Sequence, residues 1–200
     1  MRSTSDTPTD TSKRDTEPAA DLSEILSEKN LNIDLREYIG NAKFMRKVTD
    51  ALVYRLNEYL RSCSYPNDTE YLLVGLEPMG RSLAELMAVQ MSNRLPIDYV
   101  WCTHKEGSPW IWGDEFSCFS GRAKGKHCFI IDGKVAASVD TQHKIEHITE
   151  ELTDEGGIVD GAMFIVSYDS ITNPIINAAY FDLPWFCALT TNRPLYMRES

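Results

Sequence analysis

Tyr71-Leu72-Leu73-Val74-Gly75-Leu76-Glu77-Pro78-Met79-Gly80-Arg81-Ser82-Leu83-Ala84 is the stretch that decides the fold of this chain. Tyr71 to Gly75 is a short apolar run, consistent with a buried strand. Gly80 then opens a helix that runs to Asn93, with Leu83, Leu86, Met87 and Met91 facing inward. Pro96 ends the unit, and Ile97 to Cys102 reads as a second strand.

The same alternation continues downstream. A long polar, Trp-rich connection occupies 104–126, followed by a strand from His127 to Ile131 that ends at Asp132. The spacing of Ile145, Ile148 and Leu152 predicts a helix from Val139 to Leu152. Ala162 to Val166 and Trp185 to Leu189 read as a fourth and a fifth strand. Strands alternating with helices imply an α/β fold, a mostly parallel central sheet with helices on both faces.

Upstream, Phe44, Val48, Ala51, Leu52, Leu56 and Tyr59 share one helical face, as a core-packing helix requires. Asp21 reads as the N-cap of a shorter amphipathic helix carrying Leu22, Ile25 and Leu26. Residues 1–20, rich in Ser, Thr, Asp and Pro, read as a flexible tail, leaving 21–200 as one domain. No internal repeat or second domain is evident.

Composition narrows the function. The 200 residues are 42% hydrophobic and 25% charged, with a formal net charge of −10. Such an acidic chain repels phosphate backbones, which argues against general nucleic-acid binding. No run of apolar residues is long enough to span a membrane. The start lacks an apolar h-region, so it does not read as a secretory signal. Five scattered cysteines without a CxxC pair fit a reducing compartment, and the expected location is cytoplasmic. Arg122, Lys124, Lys126 and Lys134 look like a local basic cluster for a phosphorylated small molecule.

Ligands of open α/β sheets bind beyond the carboxyl ends of the strands. Three segments stand there in the sequence: 75–81, 104–107 with its loop, and 132–138. The first and third precede helices, whose free N–H groups suit anions. Gly75 and Gly80 are expected to let backbone approach a ligand.

The order of these pieces resembles the type I phosphoribosyltransferase family, most of all its orotate phosphoribosyltransferase branch, over roughly residues 40–190. Gly75 to Ala84 matches the layout of that family's pyrophosphate loop and helix. Tyr99 to Ser120 matches its closing loop, and Lys124 to Asp132 its approach to the ribose-binding acids. Glu155-Gly156-Gly157 and Leu183 to Leu189 continue the match. The resemblance implies a small hood, built from the N-terminal helix and the C-terminal strand region, and a homodimer or a subunit of a larger assembly. It implies Lys105 and Asp132 as catalytic candidates. Glu77, Met79, Gly80, Arg81, Gly133, Lys134, Ala136, Ala137 and Ser138 become ligand-binding candidates. No cofactor is certain; Mg2+ is implied if the protein is active.

The sequence departs from the family where the donor binds. The family carries two adjacent acids, two small apolar residues and Thr-Thr-Gly-x-Thr. Here the second acid is Gly133, the Thr pair is Ala136-Ala137, and Ser138 and Val139 follow. Each hydrogen bond lost to a charged group costs about 1.5–3 kcal/mol. Several such losses lower affinity by orders of magnitude. The closing loop has Val100, Trp101 and His104 where the branch carries cations, and Glu106 where it carries His; Lys105 substitutes only with a shift of register.

Two functions stay open. One is a phosphoribosyltransferase-fold protein that has lost standard catalysis and acts as a ligand-binding or assembly subunit for a sugar phosphate or nucleotide. The other is a divergent orotate-type enzyme, a pentosyltransferase moving ribose 5-phosphate to a nitrogenous base. Asp132 reads equally as a ribose contact or a turn cap. Trp101, Trp110 and Trp112 read as packing or as base-stacking groups. His143 and His147 are four apart, without an evident third metal ligand.

Overall fold

The computed structural model describes residues 40–76, 78–102, 121–135, 139–168 and 183–191. Its elements are α1 (Ala42–Ser62), β1 (Tyr71–Leu76), α2 (Met79–Met91), β2 (Ile97–Cys102), β3 (His127–Val135), α3 (Val139–Asp154), β4 (Ile158–Tyr168) and β5 (Trp185–Thr191). The Asn41 side chain caps α1 by accepting the Phe44 N–H at 3.0 Å. The buried stripe of α1 contains the expected Phe44, Val48, Ala51, Leu52 and Leu56, widened by Met45, Thr49 and Val53.

The five strands form one sheet in the order β2-β1-β3-β4-β5, with every adjacent pair parallel. From β1 the chain moves outward through α2 to β2. From β3 it moves the opposite way through α3 to β4. Crossovers of one hand in opposite directions must place their helices on opposite faces.

The packing shows that arrangement. Leu73, Phe129, Ile131, Met163 and Ile165 join α1 and α2 in one buried cluster. Leu72, Val74, Leu76, Cys128, Ile130 and Phe164 join Ile145, Ile148 and Leu152 of α3 in the other. β1 is buried along all six residues, which explains its unbroken apolar run.

α3 ends in a Schellman turn. Gly157 N–H donates to Leu152 O at 2.8 Å and Gly156 N–H to Thr153 O at 2.9 Å. Gly156 has φ +81°, a conformation that a side chain resists.

Two strand boundaries differ from the sequence expectation by more than two residues. β3 does not stop at Asp132, because Asp132, Lys134 and Val135 continue the ladder against Phe164, Val166 and Ser167. β4 starts at Ile158, four residues earlier than its apolar run. In both places polar residues interrupt the apolar pattern while strand pairing continues. The register shifts between Cys128 and Phe129, which pair with Val159 and Gly161. Asp160 is thus the extra residue of a β-bulge.

β5 is an edge strand of the main sheet. The expected helix after Asp21 and the tail lie outside the described residues, as does the rest of the expected hood. No helix among the described residues is long and apolar enough to cross a membrane.

Candidate functional site

The direction of winding reverses between β1 and β3, so their carboxyl ends form the crevice where this architecture binds ligands. The first turn of α2 lies directly across that point. A Cβ built on Gly75 would stand 2.4 Å from Gly80 O, and one on Gly80 would stand 2.0 Å from Ile131 O. Both glycines therefore serve the contact of backbone with backbone. They seat α2 against the ends of β1 and β3, a packing role that holds whatever ligand the crevice takes.

Met79 is 3% exposed and belongs to the core beneath α1 and α2. Arg81 is exposed, and its guanidinium lies 4.2 Å from the centre of the Trp101 ring. Trp101 in turn stacks on Tyr99, with ring centres 6.3 Å apart. The cation-covered face of Trp101 makes it a packing partner of Arg81. Trp110 and Trp112 lie outside the described residues.

Asp132 sits inside β3. Cys128 and Ile130 face α3, so strand alternation puts Asp132 on that side too. Its Oδ1 accepts the Gly133 N–H at 2.7 Å, and its Oδ2 pairs with Lys144 Nζ of α3. Both side chains are largely covered, Lys144 at 13% and Asp132 at 14% exposure. Lys144 was not among the residues singled out from the sequence. Its one signal was the step to Ile148, one turn along the sheet-facing side of α3.

Gly133 is buried, and Lys134 lies in register with Val166. Glu77, Lys105, Ala136, Ala137 and Ser138 lie outside the described residues. Among the described residues, no group of three or more His, Cys, Asp or Glu could hold a metal. The described carboxylate of the crevice already has an ammonium on it, so the described residues do not fit a Mg2+ ion, which takes carboxylate oxygens.

The basic cluster expected from sequence is divided. Arg122, Lys124 and Lys126 precede β3 at the amino end of the sheet. Five strand steps, about 16 Å, separate His127 from Asp132. Lys126 pairs there with Asp98 at 2.6 Å and Glu70 at 3.6 Å. Neighbours in sequence were separated because the strand between them is straight.

That amino end holds a second polar group. The bulge aims Asp160 at His127, with Oδ2 2.6 Å from Nδ1, and the same oxygen accepts the Tyr65 hydroxyl at 2.9 Å. The Tyr59 hydroxyl donates to Asp160 O at 3.4 Å. The Tyr65 ring meets the His127 ring edge-on at 4.6 Å. Burial, together with the bond to Asp160, pushes the Tyr65 hydroxyl well above its ordinary pKa. Burial pushes the Cys128 thiol up to about 12, so it stays protonated and inert. Cys63, Cys102 and Cys187 also form no disulfide.

No protein-family profile matches this sequence, and no curated protein sequence matches it. Solved structures do. The orotate phosphoribosyltransferase of Mycobacterium tuberculosis H37Rv, in complex with 5-phospho-alpha-D-ribosyl 1-diphosphate, is 16% identical with a TM-score of 0.54, covering 88% of this chain and 91% of that one. The adenine phosphoribosyltransferase of Saccharomyces cerevisiae is 16% identical with a TM-score of 0.59, over 85% and 99% of the two chains. The orotate phosphoribosyltransferase of Aeropyrum pernix is 17% identical with a TM-score of 0.54, over 84% and 93%. With its parallel five-stranded sheet, helices on both faces and these neighbours, the chain has the fold of the type I phosphoribosyltransferases.

Proposed function

We propose that this protein binds a sugar phosphate or nucleotide at the carboxyl ends of β1 and β3 and does not carry out standard phosphoribosyl transfer. It acts as a ligand-binding or assembly subunit, at least a homodimer. One observation carries this reading. Where two adjacent acids are expected to take the ribose hydroxyls, the strand presents one carboxylate followed by a buried glycine. Residues 132–135 are strand, so only 136–138 remain to link β3 to α3. Ala136 and Ala137 bring no hydroxyl to that link.

Anion binding survives these losses. The N–H groups at the start of α3 suit a phosphate. Arg81 adds a cation at the first turn of α2. The fold neighbours support the ligand class, since one of them is described in complex with 5-phospho-alpha-D-ribosyl 1-diphosphate.

The test is calorimetry with phosphoribosyl pyrophosphate and with ribose 5-phosphate, alongside pyrophosphate release with orotate, uracil and adenine as acceptors. The expected outcome is weak binding of the sugar phosphate and no pyrophosphate release. Turnover with any of these bases would replace this reading with the divergent transferase. Absence of heat from either compound, with a monomer in sedimentation, would remove its support.

A further inference from the structure

The Asp132–Lys144 pair is built differently from the other lysine and arginine pairs described. Arg61 and Glu58 are 76% and 49% exposed, and Asp98, the partner of Lys126, is 58% exposed. Pairs of that kind exchange freely with water. Asp132 and Lys144 are each about one-seventh exposed, on two elements clamped by a common core. Ile145, Ile148 and Leu152 of α3 are fully buried against the face of the sheet that carries Cys128 and Ile130. Lys144, next to Ile145 and one turn before Ile148, is therefore held over the carboxyl end of β3.

Both oxygens of Asp132 are engaged, one by its own strand and one by the helix. A divalent cation approaching this carboxylate would have to displace the ammonium from the one oxygen that its own strand leaves open. Breaking a covered charge pair is unfavourable. The charge a metal would supply is already in place.

We infer that Lys144 is the resident counter-ion of Asp132: it closes this carboxylate to divalent cations, so a phosphorylated sugar entering the crevice binds without a metal. The inference rests on the proposed function only for the class of ligand. Lys144 is here a specificity-determining residue, acting through Asp132.

The experiment has a metal arm and a sugar arm. Mn2+ binding is followed by electron paramagnetic resonance on the full chain, and ribose 5-phosphate binding by calorimetry in Mg2+ and in EDTA. Wild-type protein is expected to take up no Mn2+ at millimolar concentration and to bind ribose 5-phosphate equally in both buffers. Lys144→Gln is expected to bind Mn2+ at least about tenfold more tightly than wild type. Asp132→Asn, which removes the negative charge facing Lys144, is expected to tighten ribose 5-phosphate by about tenfold.

Mn2+ binding by wild type, Mg2+-dependent sugar binding, a folded Lys144→Gln without a new Mn2+ site, or weakened sugar binding in Asp132→Asn would each overturn the inference. If Lys144→Gln does not fold, wild type and Asp132→Asn decide it. If wild type binds no ribose 5-phosphate, the proposed ligand class fails while the Mn2+ arm still judges Lys144. Pyrophosphate release would remove the proposed function and leave the Mn2+ arm intact.

Discussion

Two aspartates, covered to nearly the same degree, stand at opposite ends of the sheet. Asp160 at the amino end is 13% exposed and Asp132 at the carboxyl end 14%. Asp160 owes its direction to a bulge and takes its partners from three elements: His127 of β3, and Tyr65 and Tyr59 from α1 and the segment after it. Aromatic rings wall it in, Tyr65 against His127 and against Tyr71. Asp132 takes one charge from the helix that follows its own strand, and its other bond is to the adjacent backbone. The first is a clasp that ties α1 to the sheet. The second is a local pair at the point where the winding reverses. Burial and partner count do not separate these two acids; position on the topology does, since only Asp132 stands at the strand ends where this architecture binds ligands.

Three experiments bear on that contrast. The largest effect is expected for Gly80→Ala. The new methyl would meet Ile131 O at 2.0 Å, and no flexible side chain is there to yield. We expect a loss of about 3 kcal/mol or more in urea unfolding, beyond ordinary overpacking. A loss under about 1 kcal/mol would show that the turn of α2 is not seated on β3 as described.

The next is Asp160→Ala. It removes a charged acceptor shared by His127 and Tyr65, and bonds to charged groups are worth about 1.5–3 kcal/mol each. The expected loss is about 3 kcal/mol, with ribose 5-phosphate affinity unchanged because the clasp lies at the far end. An altered affinity in protein that remains folded would break the division between the two ends.

The smallest is a pH effect. Tyr59, Tyr65 and Tyr71 all have pKa values raised by burial, with Asp160 opposing their ionisation. The folded state therefore holds these protons more tightly than the unfolded chain, whose tyrosines ionise near 10.0. Stability from this source is complete below pH 10 and falls as pH rises above it, by up to about 1.4 kcal/mol per pH unit for each tyrosine. Tyr65→Phe should flatten that alkaline decline in a series of unfolding curves. An unchanged slope would remove Tyr65 from the clasp.

Much of the fold was legible because it depends on local pattern. The five strands, their parallel pairing and the helices of 42–62, 79–91 and 139–154 follow from apolar runs and helical spacing. The ends of β3 and β4 were not legible. Asp132, Lys134 and Asp160 look like loop residues, and pairing between distant strands keeps them in the sheet. Gly75 and Gly80 stand out in the sequence, but their packing role does not. The space they save lies between two stretches of backbone. Lys144 gave almost no signal, since a helical lysine is ordinarily a solvated one. The basic residues 122–126 were grouped with the ligand site by sequence proximity, and a straight strand carries them to the other end.

By itself the sequence determined the order of strands and helices, most of the residues they bury (Leu86, expected inward, is exposed), and the absence of a second acid and of the Thr pair beside Asp132. Those are properties of residue type and spacing, and they survive any arrangement of the chain. Only the tertiary structure decided what Asp132 is joined to. Its partner lies on the next helix, 12 residues on, and is brought to it by a core of Ile145, Ile148 and Leu152 that neither residue belongs to. A charge pair is fixed by the packing that holds its two ends, and packing between a strand and a helix is decided by the folded whole.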